Sequence, residues 1–379
     1  MPVPESPVIV AARRTPIGTA HHALASVTVE HLAAPVLAQL ADHAQNLSLP
    51  ITEVVMGNTM GPGGNPARVA ALTAGFDDDV PALTIDRQCA SGLAAIEIAA
   101  ALLHTRQGAI IAGGAESAST APWRFWPPTT SGTETPQRYE RAPFAPPDRD
   151  PDMGPANDAF ARARGITRER QDEYAARSHA RAVAAQQAGR FDTELVPVAG
   201  VHVDERPRAT LTAARLAKLR PAFDPGGTVT VGNSCGINDG AAAVLIVDAA
   251  THRAAGVPGL RILATASTGN DPRSPGHGLV GSTRAALALA GLSLDDMGVI
   301  EFNEAFAGQV LACCDELGLD PERVCREGGA LALGHPWGAS GAVLAVRLFH
   351  QLVDTPGRRG LAAIAAGGGQ GVAMVVEAC

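Results

Sequence analysis

Lysine is almost missing from this chain of 379 residues. Of 30 lysines and arginines, only Lys218 is a lysine. We read this as compositional bias. The basic residues are outnumbered by 38 acidic ones, for a formal net charge of -8. That balance excludes a broad nucleic-acid-binding face as the main business of the protein, though a local cluster of arginines could still meet an anionic ligand. Cysteine is present six times but never as CxxC, and no histidines stand near the cysteines at zinc-binding spacing. A disulfide scaffold and a structural zinc site are therefore not expected, and the chain reads as cytoplasmic and reduced. The opening residues, "MPVPESPVIVAARRTPIG", have no basic stretch ahead of a long apolar run, so no signal peptide is expected. No apolar run reaches about 18 residues without polar interruption, so no membrane-crossing helix is expected either.

Apolar residues supply 46 % of the chain, enough for a large core. Short apolar strands alternate with helical patterns from "VIVAARRTP" onward, which is the pattern of an α/β protein. Residues 117 to 240 break the rhythm. The proline-rich "APWRFWPPTTSGTETPQRYERAPFAPPDRDPDMGP" predicts a long loop over the core, followed by a helix capped by Thr167 and stopped by Gly189. "FDTELVPVAGVHV" predicts extended chain and "ATLTAARLAKL" a short helix. An internal echo joins the two ends. "CASGLAAIEIAAALLHTRQGAIIAGGAES" overlays "GASGAVLAVRLFHQLVDTPGRRGLAAIAAGGG", each an ASG, an apolar helix, a polar link, an apolar strand and glycines. Such self-similarity points to two duplicated halves.

Four places carry chemistry. Cys89 stands at a strand-to-helix junction among the small residues Ala90, Ser91 and Gly92. The positive end of a helix draws a thiol toward thiolate, so Cys89 is either a nucleophile or a buried structural cysteine. His335, before Pro336 in a glycine-rich turn, suits a base or a hydrogen-bond donor. Asn303 and Glu304 stand where a buried strand ends, to be used in a site or, for Asn303, to cap a helix. Finally "IAAGGGQG", Ile364 to Gly371, is neither a P-loop, since no Lys-Ser/Thr follows, nor a dinucleotide loop, since a strand and not a helix comes next. What remains is a turn whose unobstructed N–H groups can stabilise an oxyanion.

Taken together these blocks are identified as those of a thiolase. "DRQCASGLAA", "GTVTVGNSCGINDGAAA", "EFNEAFA", "GGALALGHPWGASG" and "GGGQGVAM" stand in the order and at the spacing of that family, over nearly the whole chain. The resemblance implies a thiolase-like α/β fold of two duplicated mixed-sheet halves, layered α-β-α-β-α. It places the N-terminal half at 1–116 plus about 230–250, an inserted loop domain that receives coenzyme A at 117–229, and the C-terminal half at 251–379. It implies an acyltransferase that forms an acyl-cysteine from an acyl-CoA and passes the acyl group to a carbon nucleophile or to CoA. Cys89 would be the nucleophile and His335 its base. Asn303, through a water, and His335 would form one oxyanion site, and the amides of Cys89 and Gly367 the other. Arg208 would meet the nucleotide end of coenzyme A and Cys235 would stand toward the coenzyme. Acyl-CoA would be the substrate, with no permanently bound cofactor, and the protein would be a homodimer or homotetramer without a nucleic-acid or membrane partner.

The same resemblance marks departures. The second catalytic cysteine of the family is expected two residues before Gly367, where Ala365 stands, and the resemblance thus implies its replacement by alanine. Cys235 is a candidate for the missing proton group. Asp86, Asp152, Ala156 to Ala159, Pro275 and Trp337 also differ from the family pattern, which implies a reshaped acyl or pantetheine channel. Without a second thiol, two other readings arise: a decarboxylating Claisen condensation or acyl transfer to a non-carbon acceptor, and a catalytically impaired binding or scaffold subunit.

Overall fold

The computed structural model describes residues 5–128, 135–139 and 141–379. Part of the expected inserted loop and the first four residues lie outside them. The first half comprises β1 (Val8–Arg14), β2 (Gly18–Thr19), α1 (Val29–Asn46), β3 (Ile51–Gly57), α2 (Pro66–Thr73), β4 (Ala82–Ile85), α3 (Ser91–Leu102) and β5 (Ala109–Ser117). Then come β6 (Arg124–Trp126), β7 (Gln137–Tyr139), α4 (Met153–Ala163), α5 (Arg168–Gln187), α6 (Ala213–Leu216), β8 (Asn238–Val247) and α7 (Ala249–Ala255). The second half holds β9 (Leu260–Gly269), α8 (Gly278–Ala290), β10 (Val299–Phe302), α9 (Ala307–Leu317), α10 (Ala330–Leu333), α11 (Trp337–Leu352), β11 (Arg359–Ala366) and β12 (Gln370–Ala378).

The strands run in the order β10-β11-β12-β9-β1-β8-β5-β3-β4. Each half is a mixed sheet: β1, β8 and β5 are antiparallel neighbours with β3 parallel to β5, and β9, β12 and β11 are antiparallel neighbours with β10 parallel to β11. The sheets are joined where Val8 stands opposite Arg261 and Ile9 opposite Leu260, with Ile262 N donating to Pro7 O at 2.9 Å. Three apolar clusters bind five layers together, the central one serving both faces of the middle helices. Leu32, Leu37 and Leu40 of α1 cover the outer face of the first sheet. Leu93 and Ile96 of α3 and Leu344 and Leu348 of α11 fill the space between the sheets. Leu279 of α8 and Val310 and Leu311 of α9 cover the outer face of the second. Strands covered on both faces need continuous apolar sequence, and all ten residues of β8 are buried. The expected α-β-α-β-α architecture of two duplicated halves is what the chain adopts.

The echo in the sequence is an echo in space. α3 leads to β5 as α11 leads to β11, and the two helices cross at their glycines. A Cβ on Gly92 would meet Ala342 N and Gly338 O at 2.8 Å, and one on Gly341 would meet Leu93 N at 2.5 Å. Only glycine permits so close a crossing, and it brings the start of α3 next to the start of α11.

Between the halves the loop region differs from expectation. Met153–Ala163 is a helix whose first turn, Met153 to Pro155, closes the stretch expected as loop. Phe160 and Ala161 bury one face of it against the cluster on the outer face of the second sheet, the second core. Thr167 does cap α5, accepting from Arg170 N through Oγ1 at 3.3 Å. "FDTELVPVAGVHV" forms no strand; only isolated bridges, Arg14 with Leu195 and Val198 with Val201, tie it down.

Candidate active site

β4 ends at Ile85 and does not run into Cys89. The Asp86 carboxylate accepts from Gln88 N at 2.7 Å, and Gln88 takes a φ of 51°. Ser91 Oγ accepts from Arg87 N at 2.7 Å and donates to Gln88 O at 2.6 Å. This knot turns the chain sharply and presents Cys89 to a cavity of about 770 Å3. Gly367, Met60, Phe144, Phe306 and Trp337 share its wall, with Asp152 and Met153 from the start of α4. Two of the departures noted in the sequence, Asp152 and Trp337, thus lie on the cavity.

The glycine run forms the turn from β11 to β12. Gly368 and Gly369 have φ of 77° and 71°, which favours glycine. Gly367 is needed for another reason: a Cβ there would meet the Phe144 ring at 2.5 Å. Burial pushes the Cys89 thiol up to about 12, and nearby Cys235 adds to the rise; the N–H groups of Cys89 and Gly367 oppose it without prevailing. The expectation of a thiol drawn toward thiolate by the helix end is therefore corrected. Desolvation of the anion outweighs the dipole, and the resting group is a neutral thiol.

His335 is 2 % exposed and is not among the residues lining the cavity. Its N–H donates to Asn238 Oδ1 at 2.9 Å, and its Nδ1 is 2.6 Å from Ser340 Oγ. Burial holds the imidazole down to about 4, so it is neutral at physiological pH. Asn303 follows β10 and is buried; its N–H donates to Ala363 O at 3.0 Å. It does not cap α9, whose N-cap is Phe306. Glu304 beside it accepts from Tyr174 Oη at 2.8 Å, Ser178 Oγ at 2.6 Å and Leu331 N at 3.2 Å, and so pins α5 and α10 to β10.

Cys235 donates its N–H to Ala305 O at 2.9 Å. Burial pushes its thiol up to about 12, against the pull of the Arg206 guanidinium. Arg208 is exposed and does not line the Cys89 cavity. Its N–H donates to His179 Nδ1 at 3.3 Å, and burial together with Arg206 and Arg208 holds His179 down to about 4. With His179 neutral, the two arginines alone make this corner cationic, and guanidinium groups suit phosphate. Among the described residues no group of three His, Cys, Asp or Glu is placed to hold a metal ion.

One residue that sequence reading passed over organises the whole wall. Glu116, at the end of β5 and fully buried, accepts from Asn58 Nδ2 and Met60 N through Oε1, both at 3.0 Å. Its Oε2 accepts from Thr59 N at 3.1 Å and Gly338 N at 3.0 Å. One carboxylate thus joins the Thr59–Met60 wall to the start of α11, which carries Trp337. Its only signal in the sequence is a charged residue at the end of an apolar strand.

The chain matches the family model described as "Thiolase, N-terminal domain" over residues 7–250 and that of "Thiolase, C-terminal domain" over 257–378. It is 42 % identical to an acetyl-CoA acetyltransferase of Pseudomonas aeruginosa, over 97 % of this chain and 98 % of that one. It is 43 % identical to an acetyl-CoA acetyltransferase of Escherichia coli, over 98 % of each. The crystal structure of the Bacillus anthracis acetyl-CoA acetyltransferase superposes with a TM-score of 0.91 at 36 % identity, covering 100 % of both chains.

These likenesses correct the expectation that the second cysteine is lost and replaced by Ala365. The chain matches acetyl-CoA acetyltransferases from end to end and keeps a free cysteine in its C-terminal half, Cys379. Both count against a member that has shed its second thiol. Ala365 packs against the second core and is not among the residues lining the Cys89 cavity. Cys379 follows β12 at the end away from the glycine run, its Sγ 3.6 Å from Gly259 O. The decarboxylating and scaffold readings rested on the missing thiol and are not carried further. The chain belongs to the thiolase family and is an acyltransferase, acting on acyl-CoA thioesters through an acyl-cysteine intermediate.

Proposed function

We propose that Cys89 is the acylated residue, that His335 is its base, and that the physiological acyl donor is acetyl-CoA. The observation that supports this most is that Cys89 and the Gly367 N–H meet at one cavity wall, the amide favouring the sulfur anion. In this reading His335 Nε2 takes the thiol proton as Sγ attacks the thioester carbon. Negative charge on the carbonyl oxygen is met by preorganised donors: the amides of Cys89 and Gly367 at one site, and at the other His335 with a water held by Asn303. The C–S bond to coenzyme A then breaks, and the departing thiolate takes the proton from His335. The acyl group passes next to a carbon nucleophile or back to CoA. Arg208, with Arg206, meets the phosphates of the coenzyme, and Cys235 stands toward its pantetheine arm. The segment 117–229 acts as the coenzyme-binding insert between halves at 1–116 plus about 230–250 and at 251–379. Initial-rate kinetics of acetoacetyl-CoA thiolysis test the reading. Parallel double-reciprocal lines are expected, as for a ping-pong enzyme; intersecting lines would contradict a free acyl-enzyme.

We infer further that the protein works in the cytoplasm as a homodimer, or as a homotetramer built from such dimers. Six free cysteines fit a reducing compartment, and among the described residues no helix is long and apolar enough to cross a membrane. Among the described residues β4 has only β3 beside it, and Leu83 on β4 and Val69 and Leu72 on α2 are exposed. Such an edge invites a second copy. Leu83→Asp should halve the mass measured by light scattering, and an unchanged mass would refute pairing through this edge.

A further inference from the structure

Behind His335 lies a second, small cavity, lined by Glu301, Asn303, Ser340 and Arg347 among others, all of them buried. Its volume of about 10 Å3 approaches the ~10–15 Å3 that one water centre needs. Two donors on its wall, Asn303 Nδ2 and Arg347 Nε, have no partner in the chain, although Asn303 is 2 % and Arg347 1 % exposed. Buried donors left unpaired cost roughly 1–3 kcal/mol each, so a polar occupant is called for. Ser340 Oγ makes its side-chain hydrogen bond to His335 Nδ1. Across the cavity, Gln351 Nε2 donates to Glu301 Oε1 at 2.8 Å, which fixes the carboxylate.

We propose that this cavity binds one structural water joining Ser340 Oγ to the Glu301 carboxylate, and that Ser340, the water and Glu301 together hold His335 in the tautomer protonated at Nδ1. The logic is one of donors and acceptors. If Nδ1–H donates to Ser340 Oγ, Nε2 is left as the acceptor a base requires. The Ser340 hydroxyl then has its own proton to give, and the water receives it. The water also accepts from Arg347 Nε, Asn303 being the holder of the oxyanion water, and donates to Glu301. When His335 takes the Cys89 proton at Nε2, the imidazolium keeps Nδ1–H, and its charge is answered through Ser340 and the water by Glu301. The Nε2 proton later leaves with the coenzyme thiolate, so the relay returns unchanged. Ser340 and Glu301 are positioning residues: neither touches the substrate.

This rests on His335 being the base, and the test separates the two claims. Single-turnover acylation would be followed by mass spectrometry in Ser340→Ala, Ser340→Thr, Glu301→Gln and His335→Asn, with thermal melting of each. Ser340→Ala should acylate about 10²-fold more slowly, with little change in half-saturation. Ser340→Thr, which keeps the hydroxyl, should recover most of the rate. Glu301→Gln, the second probe should Ser340→Ala fold poorly, should be about 10-fold slower. Wild-type acylation by Ser340→Ala or Glu301→Gln while His335→Asn is slow would overturn the relay and leave the base intact. Wild-type acylation by His335→Asn would instead overturn the base. A crystal structure of the wild type with no water bridging Ser340 and Glu301 would also refute the proposal.

Discussion

Cys89→Ala should fold normally and form no acyl adduct, with kcat/KM lower by roughly 10⁴-fold or more. The expectation follows from position and chemistry together. Cys89 is the one cysteine on the wall of the large cavity, where the Gly367 N–H reaches its sulfur. Alanine offers no nucleophile, and what is left is the binding of the thioester and its polarisation by backbone donors. The fold should tolerate the change. Cys89 is only half-buried, and the turn that holds it is built from the Asp86 and Ser91 side chains, not from the sulfur. Melting within a few degrees of wild type, beside complete loss of adduct, would separate chemistry from stability. Residual acylation at another residue would show that the nucleophile has been misplaced.

His335→Asn carries the second largest effect, a loss of about 10²–10⁴-fold in the acylation rate. Its pH dependence is more telling than its size. Burial holds the imidazole down to about 4 and pushes the thiol up to about 12. The working pair is therefore neutral thiol and neutral imidazole over the whole range between. Wild-type acylation should change by no more than about 10-fold from about pH 5 to 8, as Glu301, pushed up to about 7 by burial, gains its proton, and should fall steeply only as acid protonates His335. In the variant no base takes the proton, and only preformed thiolate reacts. Its residual rate should rise about tenfold per pH unit throughout that range. A flat profile in the variant would mean that some other group deprotonates Cys89.

Much of the architecture was readable from sequence because the chain says it twice. α3 with β5 and α11 with β11 repeat the same pattern of small residues, apolar helix and apolar strand, and the structure packs the two copies against each other at Gly92 and Gly341. The helix Met153–Ala163 was not readable. Proline and glycine stand in its first turn, and what stabilises it is burial of Phe160 against a core formed far away in sequence. The site divides in the same way. Cys89, His335 and the glycine run announce themselves by local context. Glu116 does not, because the meaning of its carboxylate lies in Gly338, 222 residues on. Nor does the Glu301–Arg347 wall behind His335, which exists only once β10 and α11 have packed. The neutral state of the Cys89 thiol is hidden for a related reason: a helix start is visible in sequence, whereas the desolvation that outweighs it is not.

The most direct test of the account is intact-protein mass spectrometry after brief mixing with acetyl-CoA, followed by peptide mapping. One acetyl group per chain is expected, on the peptide that holds Cys89, removed when free coenzyme A is added. An unmodified chain, or an acetyl group carried by Cys235 or Cys379 with Cys89 free, would contradict it.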